Sequence, residues 1–226
     1  MSGKTFGRTA AFFVVALAGS ATAGPDWLEQ GDAGSTITTA QRPIRPEGAA
    51  SLQSVAGTLA DGFSEPDYED LYYIRIMNPG TFSIRPAFAD FNVVLYLFNI
   101  TVNGEGYGLL GNDNESPTST LPKLTAVSTD GTGVQVSVPG DYVLAVTGFG
   151  RTPVSRGGAI FNLASPTEIS GPDGPGGFNP LTDWTGIGET GNYSFQMTAT
   201  DFPVVPAPGV LMVVAAGGVA IGRRRR

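Results

Sequence analysis

The chain of 226 residues contains 32 glycines and 17 prolines but only 15% charged residues, a composition that disfavours a helical bundle and favours a turn-rich β protein. It has no cysteine and no histidine, which excludes disulfides, Ser-His-Asp and Cys-His catalysis and imidazole metal sites. Six of the 13 basic residues lie in the terminal segments, so the rest of the chain has 7 basic and 20 acidic residues. Its net charge of minus 13 argues against a nucleic-acid partner.

The first 23 residues have the three parts of a secretory signal peptide. Lys4 and Arg8 form a basic start, residues 9–18 are apolar, and Ala21 and Ala23 form an A-x-A cleavage motif. The apolar part is too short for a lasting transmembrane helix. We therefore expect an N-terminal signal helix in residues 1–23 that signal peptidase removes, and a mature chain that begins with the segment 24–50.

Residues 51–203 have the pattern of a β domain, in which short apolar runs alternate with Gly, Pro, Asn and Asp turns. The pattern predicts strands at residues 52–59, 71–77, 81–85, 93–98, 134–138, 142–147 and 193–198. Two of these runs, 93–98 and 142–147, are apolar on both faces, which predicts central strands. Short connections favour antiparallel pairing, so the predicted fold class is an all-β, antiparallel, jelly-roll-like sandwich.

Residues 148–191 differ from the rest because they are rich in glycine and proline. We expect a long excursion from the sandwich with one short strand near 159–163, and not a second domain. Residues 106–111 match G-x-G-x-x-G, but a turn and no helix follows them, which argues against a dinucleotide site.

Two acidic clusters could supply oxygen ligands to calcium. One is Asp113, Asn114 and Glu115, and the other comprises Glu65, Asp67, Glu69 and Asp70. Neither has EF-hand spacing, so a solvated hairpin end is the alternative interpretation. The same carboxylates could form an acid and base pair on a glycosidic bond, which leaves a small secreted hydrolase as another alternative.

Four aromatic residues lie in segments that resemble loops: Trp27, Phe149, Phe178 and Trp184. Exposed aromatic rings can stack on sugars, and buried ones can close the ends of a sandwich. The sequence leaves both interpretations open.

The C-terminus consists of Pro206, Ala207, Pro208 and Gly209, an apolar run, and then Arg223, Arg224, Arg225 and Arg226. A helix over residues 210–222 would be about 20 Å long, against about 30 Å for the hydrocarbon core of a bilayer. The basic end would stay on the cytoplasmic side of the membrane. This order of a Pro-x-Pro motif, an apolar helix and an arginine cluster resembles the bacterial PEP-CTERM sorting signal, with Ala207 where the family usually has Glu. The resemblance implies that the tail, 204–226, is processed by an exosortase-type enzyme.

Four segments resemble, in order, the bacterial pre-peptidase C-terminal (PPC) domain: DLYYI at 70–74, FNVVLYLF at 91–98, GNDNE at 111–115 and GDYVLAV at 140–146. The resemblance covers residues 52–147 and implies a β-sandwich that serves as an accessory or adhesive module. It does not imply protease activity.

We therefore expect a non-enzymatic protein exported to the cell envelope, the cell surface or the medium, with at least transient membrane anchoring. Its expected partners are signal peptidase, an exosortase-type enzyme and extracellular polysaccharide, with no nucleic acid. No cofactor is expected unless calcium binds. The alternatives are a calcium-dependent carbohydrate-binding module and a carboxylate-dependent hydrolase.

Overall fold

The computed structural model describes residues 25–60 and 66–204. Within this part the only helix is one 3-10 turn, Pro79–Thr81, which Asn78 caps through its side chain. The strands are β1 (Trp27–Leu28), β2 (Ser54–Leu59), β3 (Glu69–Ile76), β4 (Ser83–Ala89), β5 (Val93–Ile100), β6 (Gly106–Asn112), β7 (Leu124–Thr125), β8 (Gly140–Gly148), β9 (Thr152–Ser155), β10 (Gly158–Ala159), β11 (Asp183–Thr185), β12 (Gly191–Thr198) and β13 (Thr200–Asp201).

The strands form two five-stranded sheets and one three-stranded sheet. The first sheet has the order β1-β2-β12-β4-β7, and the second has the order β13-β3-β8-β5-β6. All named strand pairs in the described residues are antiparallel except β1 with β2. The expected all-β, antiparallel class is therefore confirmed.

The main hydrophobic core lies between the two five-stranded sheets. Val55, Ile84 and Phe195 of the first sheet and Leu95 and Leu144 of the second belong to one fully buried cluster. Because side chains alternate along a strand, these residues form only one face of each sheet.

The outer face of the second sheet is also covered. Tyr96 and Phe98 of β5 pack there against Ile160, Phe161 and Trp184 of the segment 148–191. This second cluster explains why β5 and β8 are apolar on both faces, and both strands lie inside the sheet, as predicted.

The segment 148–191 forms the three-stranded sheet β10-β9-β11, so the expectation of one short strand at 159–163 was wrong. Ile160 and Phe161 of that apolar run lie outside any strand and bury their side chains in the second cluster. The apolar run here therefore indicates side chains that pack in a core, and not a strand.

One other expectation is corrected. Residues 134–138 form only an isolated bridge, Gln135 with Val127, because the segment has no continuous neighbouring strand. The G-x-G-x-x-G motif lies in β6, where a Cβ at Gly108 would overlap Ile160 and one at Gly111 would lie 3.0 Å from Tyr96 Cδ1. Close packing under the outer layer therefore accounts for these two glycines.

The predicted signal segment, 1–23, and the predicted C-terminal tail, apart from Val204, lie outside the described residues. The two terminal helices that we expect there stay predictions. None of the helices in the described part of the chain is long and apolar enough to cross a membrane.

Candidate functional site

The N-terminal segment that follows β1 carries the first carboxylate of an acidic site. The parallel pairing of β1 with β2 places Glu29 beside β2, where its Oε2 accepts a 2.8 Å hydrogen bond from Thr58 N. Gly57 makes this approach feasible, because a Cβ there would lie 2.7 Å from Glu29 Oε2 and would overlap the Tyr193 hydroxyl.

Asp70 supplies the second carboxylate, from the start of β3, and it is fully buried. Its Oδ2 accepts a 2.5 Å hydrogen bond from the hydroxyl of Tyr193 on the opposite sheet, and its Oδ1 accepts one of 3.3 Å from Ala33 N. The Tyr72 and Tyr193 hydroxyls are 2.6 Å apart. Ala33 N also donates to Glu29 Oε1, at 3.2 Å, so one backbone amide joins two carboxylates.

Asp67, the third carboxylate, lies just before β3 and is half-buried. One carboxylate oxygen each from Glu29, Asp67 and Asp70 lie within 4.8 Å of one another. Such proximity of like charges in a partly desolvated place disfavours ionisation.

The pKa values follow from this arrangement. Burial, together with the charges of Asp67 and Glu29, raises the pKa of Asp70 to about 9. Burial and the charges of Asp32 and Glu29 raise the pKa of Asp67 to about 7. Burial also raises the pKa of Glu29 above its usual value. The cluster therefore retains protons near neutral pH unless a cation neutralises it.

The chemistry of the donor set fits a hard divalent cation. Calcium prefers several carboxylate and carbonyl oxygens, and three carboxylates offer it oxygens from two stretches of chain, one with Glu29 and one with Asp67 and Asp70. A bound cation would replace the protons and reverse the pKa shifts.

The second predicted acidic cluster is therefore divided. Glu65 lies outside the described residues. Glu69 is directed away and accepts from Arg151 Nε and Nη2 at 2.7 and 3.0 Å, since neighbouring residues of β3 face opposite sides of the sheet. Only Asp67 and Asp70 come together, and they meet Glu29. No local pattern predicts this third member, because Glu29 is about 40 residues away along the chain.

The first predicted cluster is divided as well. Glu115 forms a 3.0 Å ion pair with Lys123 Nζ at the surface. Asp113 and Asn114, in contrast, line a cavity of about 590 Å³ with Asn92, Tyr96 and Phe149.

The four aromatic residues have different environments. Trp27 Nε1 donates to Gln41 Oε1 at 2.7 Å, and the buried Trp184 donates to Ser35 O at 2.7 Å, so both tryptophans serve packing. Phe149 is 52% exposed and Phe178 is 94% exposed, which leaves these two available for stacking.

The predicted cleavage residues Ala21 and Ala23 and the predicted sorting residues 206–209 and 223–226 lie outside the described residues. Comparison with known proteins adds no assignment, since no family model, no curated protein and no solved structure matches the chain.

Proposed function

We propose that the chain is a non-enzymatic, exported protein of the cell surface or extracellular matrix, delivered by its C-terminal tail, with a β-sandwich that acts as an adhesion or accessory module. The observation that carries the proposal is the order of segments: a secretion signal, an acidic β domain and a short apolar tail that ends in four arginines. The resemblances to PEP-CTERM tails and PPC domains support the same assignment.

The described β domain is consistent with an accessory role. The segment that follows β1 and the segment 148–191 pack over the second sheet, so Ala40 and Trp184 share one buried cluster. This extra layer covers the outer face of the second sheet, so the described residues form one domain to which a C-terminal sorting tail can be attached.

The hydrolase alternative has less support. A carboxylate pair must reach a substrate oxygen, directly or through water. Asp70 is fully buried, and both of its carboxylate oxygens already accept hydrogen bonds, from Tyr193 and from Ala33 N, so neither oxygen is free to act on a glycosidic bond.

A calcium-dependent module is the second candidate function, and one observation favours it. The oxygens of Glu29, Asp67 and Asp70 converge within 4.8 Å. Glu29 lies on the N-terminal segment, Asp67 lies just before β3, and Asp70 lies at the start of β3. A cation at this place would hold the N-terminal segment against the sandwich.

The proposal is tested by fractionation of cells that express the full chain or a version truncated before residue 205. We expect the full chain to pass through the membrane fraction and to lose its tail, and the truncated chain to reach the medium directly. A full chain with Pro206→Ala and Pro208→Ala is the matched control. It should keep its tail, and therefore its full length, and should stay in the membrane fraction. Identical partitioning of the full and truncated chains would overturn the proposal.

A further inference from the structure

The cavity beside Asp113 is built where three strand ends of the second sheet meet. Asn92 immediately precedes β5, Asp113 and Asn114 immediately follow β6, and Phe149 immediately follows β8. Antiparallel pairing of β5 with both neighbours brings these ends together, with Leu95 opposite Asn112 and Val93 opposite Gly148.

Three oxygens at this cavity lack a partner among the described residues: Asn92 Oδ1, Asp113 Oδ1 and Asn114 Oδ1. Asp113 is only 5% exposed, so its unpartnered oxygen is buried. Buried polar atoms without partners are costly, and in native proteins they usually indicate a water or ligand that completes them. All three oxygens are acceptors and need a donor.

The residues around these oxygens are held in place. Asn92 N donates to Glu189 Oε2 at 2.9 Å, and Phe149 N donates to Asn92 O at 2.8 Å. Asn114 N donates to Pro166 O at 2.7 Å. The backbone that carries the acceptors is therefore fixed before any ligand arrives, which lowers the entropic cost of binding.

An exposed aromatic ring and apolar walls complete the cavity. Phe149 is 52% exposed, and Leu163 and Pro166 also line the space. The volume of about 590 Å³ lies within the range of small-molecule sites and exceeds what one ion needs. A cation would need several oxygens about 2.4 Å from one point, and apolar walls offer it nothing.

The charges around the cavity favour a neutral organic ligand over an anionic one. Burial and the negative charge of Glu189 raise the pKa of Asp113. Arg151 is the only cation among the described residues that line the cavity, and it is already paired with Glu69, so an anionic ligand is disfavoured. Neutral sugar rings carry several hydroxyl donors on their edges and an apolar face that stacks on an aromatic ring.

We propose that this cavity binds a neutral pyranose unit of a polysaccharide, with sugar hydroxyls donating to Asn92, Asp113 and Asn114 and the ring resting on Phe149. The proposal rests on the proposed function, because it names the polymer class with which the exported β-sandwich would associate.

The test is affinity electrophoresis of the full chain through gels that contain dextran, glucomannan or xylan, with anionic alginate as a comparison. Phe149→Ala and Asp113→Asn are the two variants. Phe88→Ala is the matched control, since Phe88 is 54% exposed on β4 of the other sheet. Thermal melts establish that each variant is folded.

We expect at least one neutral polysaccharide to retard the wild-type and Phe88→Ala chains, and each cavity variant to weaken that retention about tenfold or more. No retardation by any neutral polysaccharide, or equal retention of wild type and both cavity variants, would overturn the proposal. Calcium binding that Asp113→Asn abolishes, without sugar binding, would also overturn it and assign a cation site. Fractionation of the same variants separates the two proposals: normal delivery of a chain that binds no sugar contradicts only the saccharide site.

Discussion

Tyr193 donates a 2.5 Å hydrogen bond to the buried Asp70 across the space between the two five-stranded sheets. Tyr193 lies on β12 of the first sheet and Asp70 on β3 of the second. A carboxyl group buried between sheets must be paired or protonated. The Asp70 carboxyl accepts a hydrogen bond, and its pKa is also raised. The pair links sandwich packing to the acidic site.

Tyr193→Phe should therefore lower the free energy of unfolding by about 1–3 kcal/mol, because it leaves a buried carboxyl oxygen without its donor. Urea unfolding at pH 6 measures the loss. Tyr107→Phe, which changes a half-exposed tyrosine on β6, is the control and should differ little from the wild type. Equal stability of all three proteins would show that the Asp70 bond contributes nothing.

The acidic site also predicts a pH dependence in the absence of divalent cations. The pKa of Asp67 is raised to about 7 and that of Asp70 to about 9, from an ordinary 3.8, so the folded state binds more protons than the unfolded state over that interval. The contribution of Asp67 and Asp70 to the free energy of unfolding should be greatest at acidic pH, near their ordinary pKa of 3.8. It should fall as the pH rises through about 7 and about 9.

Thermal melts in the presence of a chelator measure this dependence. Since a change of 1 kcal/mol shifts the Tm of a domain this size by about 2–4 °C, we expect a fall of at least about 5 °C between pH 5 and pH 9. Asp67→Asn should remove much of the fall around pH 7, while Glu47→Gln, at an exposed position, should leave it intact. A Tm that rises over this range contradicts the raised pKa values.

Millimolar calcium should reverse the loss at pH 8, because a cation stabilises the ionised carboxylates. At a concentration 100 times the Kd, binding adds about 2.7 kcal/mol, which corresponds to a rise in Tm of about 5–10 °C. Glu29→Gln should abolish the rise, and Glu115→Gln, whose carboxylate pairs with Lys123, should keep it. No calcium shift in the wild type at pH 8 would refute the calcium-dependent function.

Two glycines at opposite ends of β8 should respond differently to alanine. A Cβ at Gly148 would overlap the backbone of Glu189, whereas a Cβ at Gly140 would lie 3.9 Å from the ring of Tyr142. Gly148→Ala should cost about 1–3 kcal/mol or more of stability through overpacking, and Gly140→Ala less than about 1 kcal/mol. Urea denaturation of the two variants measures both losses of stability. Equal losses would contradict the close contact of Gly148 with the Glu189 backbone.

The ion pair of Arg151 with Glu69 should matter to the fold. The side chains are 18% and 5% exposed, and Arg151 Nη1 also donates to Gly186 O at 2.7 Å, which fixes the segment 148–191. Arg151→Met should destabilise the protein by about 3–5 kcal/mol because it leaves a buried carboxylate unpaired. Arg85→Met, at an exposed position that makes no ion pair in the described residues, is the control for circular dichroism melts.

The sequence identified the strands whose apolar pattern is determined locally. β5, β8 and β12 lie where alternation or continuous apolar runs predicted them. It did not predict a strand at β6, and the role of the β6 glycines is visible only when Ile160 packs over Gly108.

Of the candidate sites, the sequence found Asp67, Asp70, Asp113 and Asn114 as acidic or amide side chains able to bind ligands. It could not decide which neighbours in sequence would be neighbours in space. Strand alternation sends Glu69 to Arg151 and away from Asp70. Glu115 lies in the non-strand segment after β6, where its carboxylate pairs with Lys123.

The sequence by itself determined the β class and the acidity of the chain, because composition and local pattern suffice for these, and it predicts the two terminal signals. Only the tertiary structure decided that Glu29 joins Asp67 and Asp70, and that Asn92 and Phe149 join Asp113 and Asn114. Both sites combine segments that are far apart along the chain. Their geometry depends on strand pairing and the packing of sheets, and local pattern does not specify either of these.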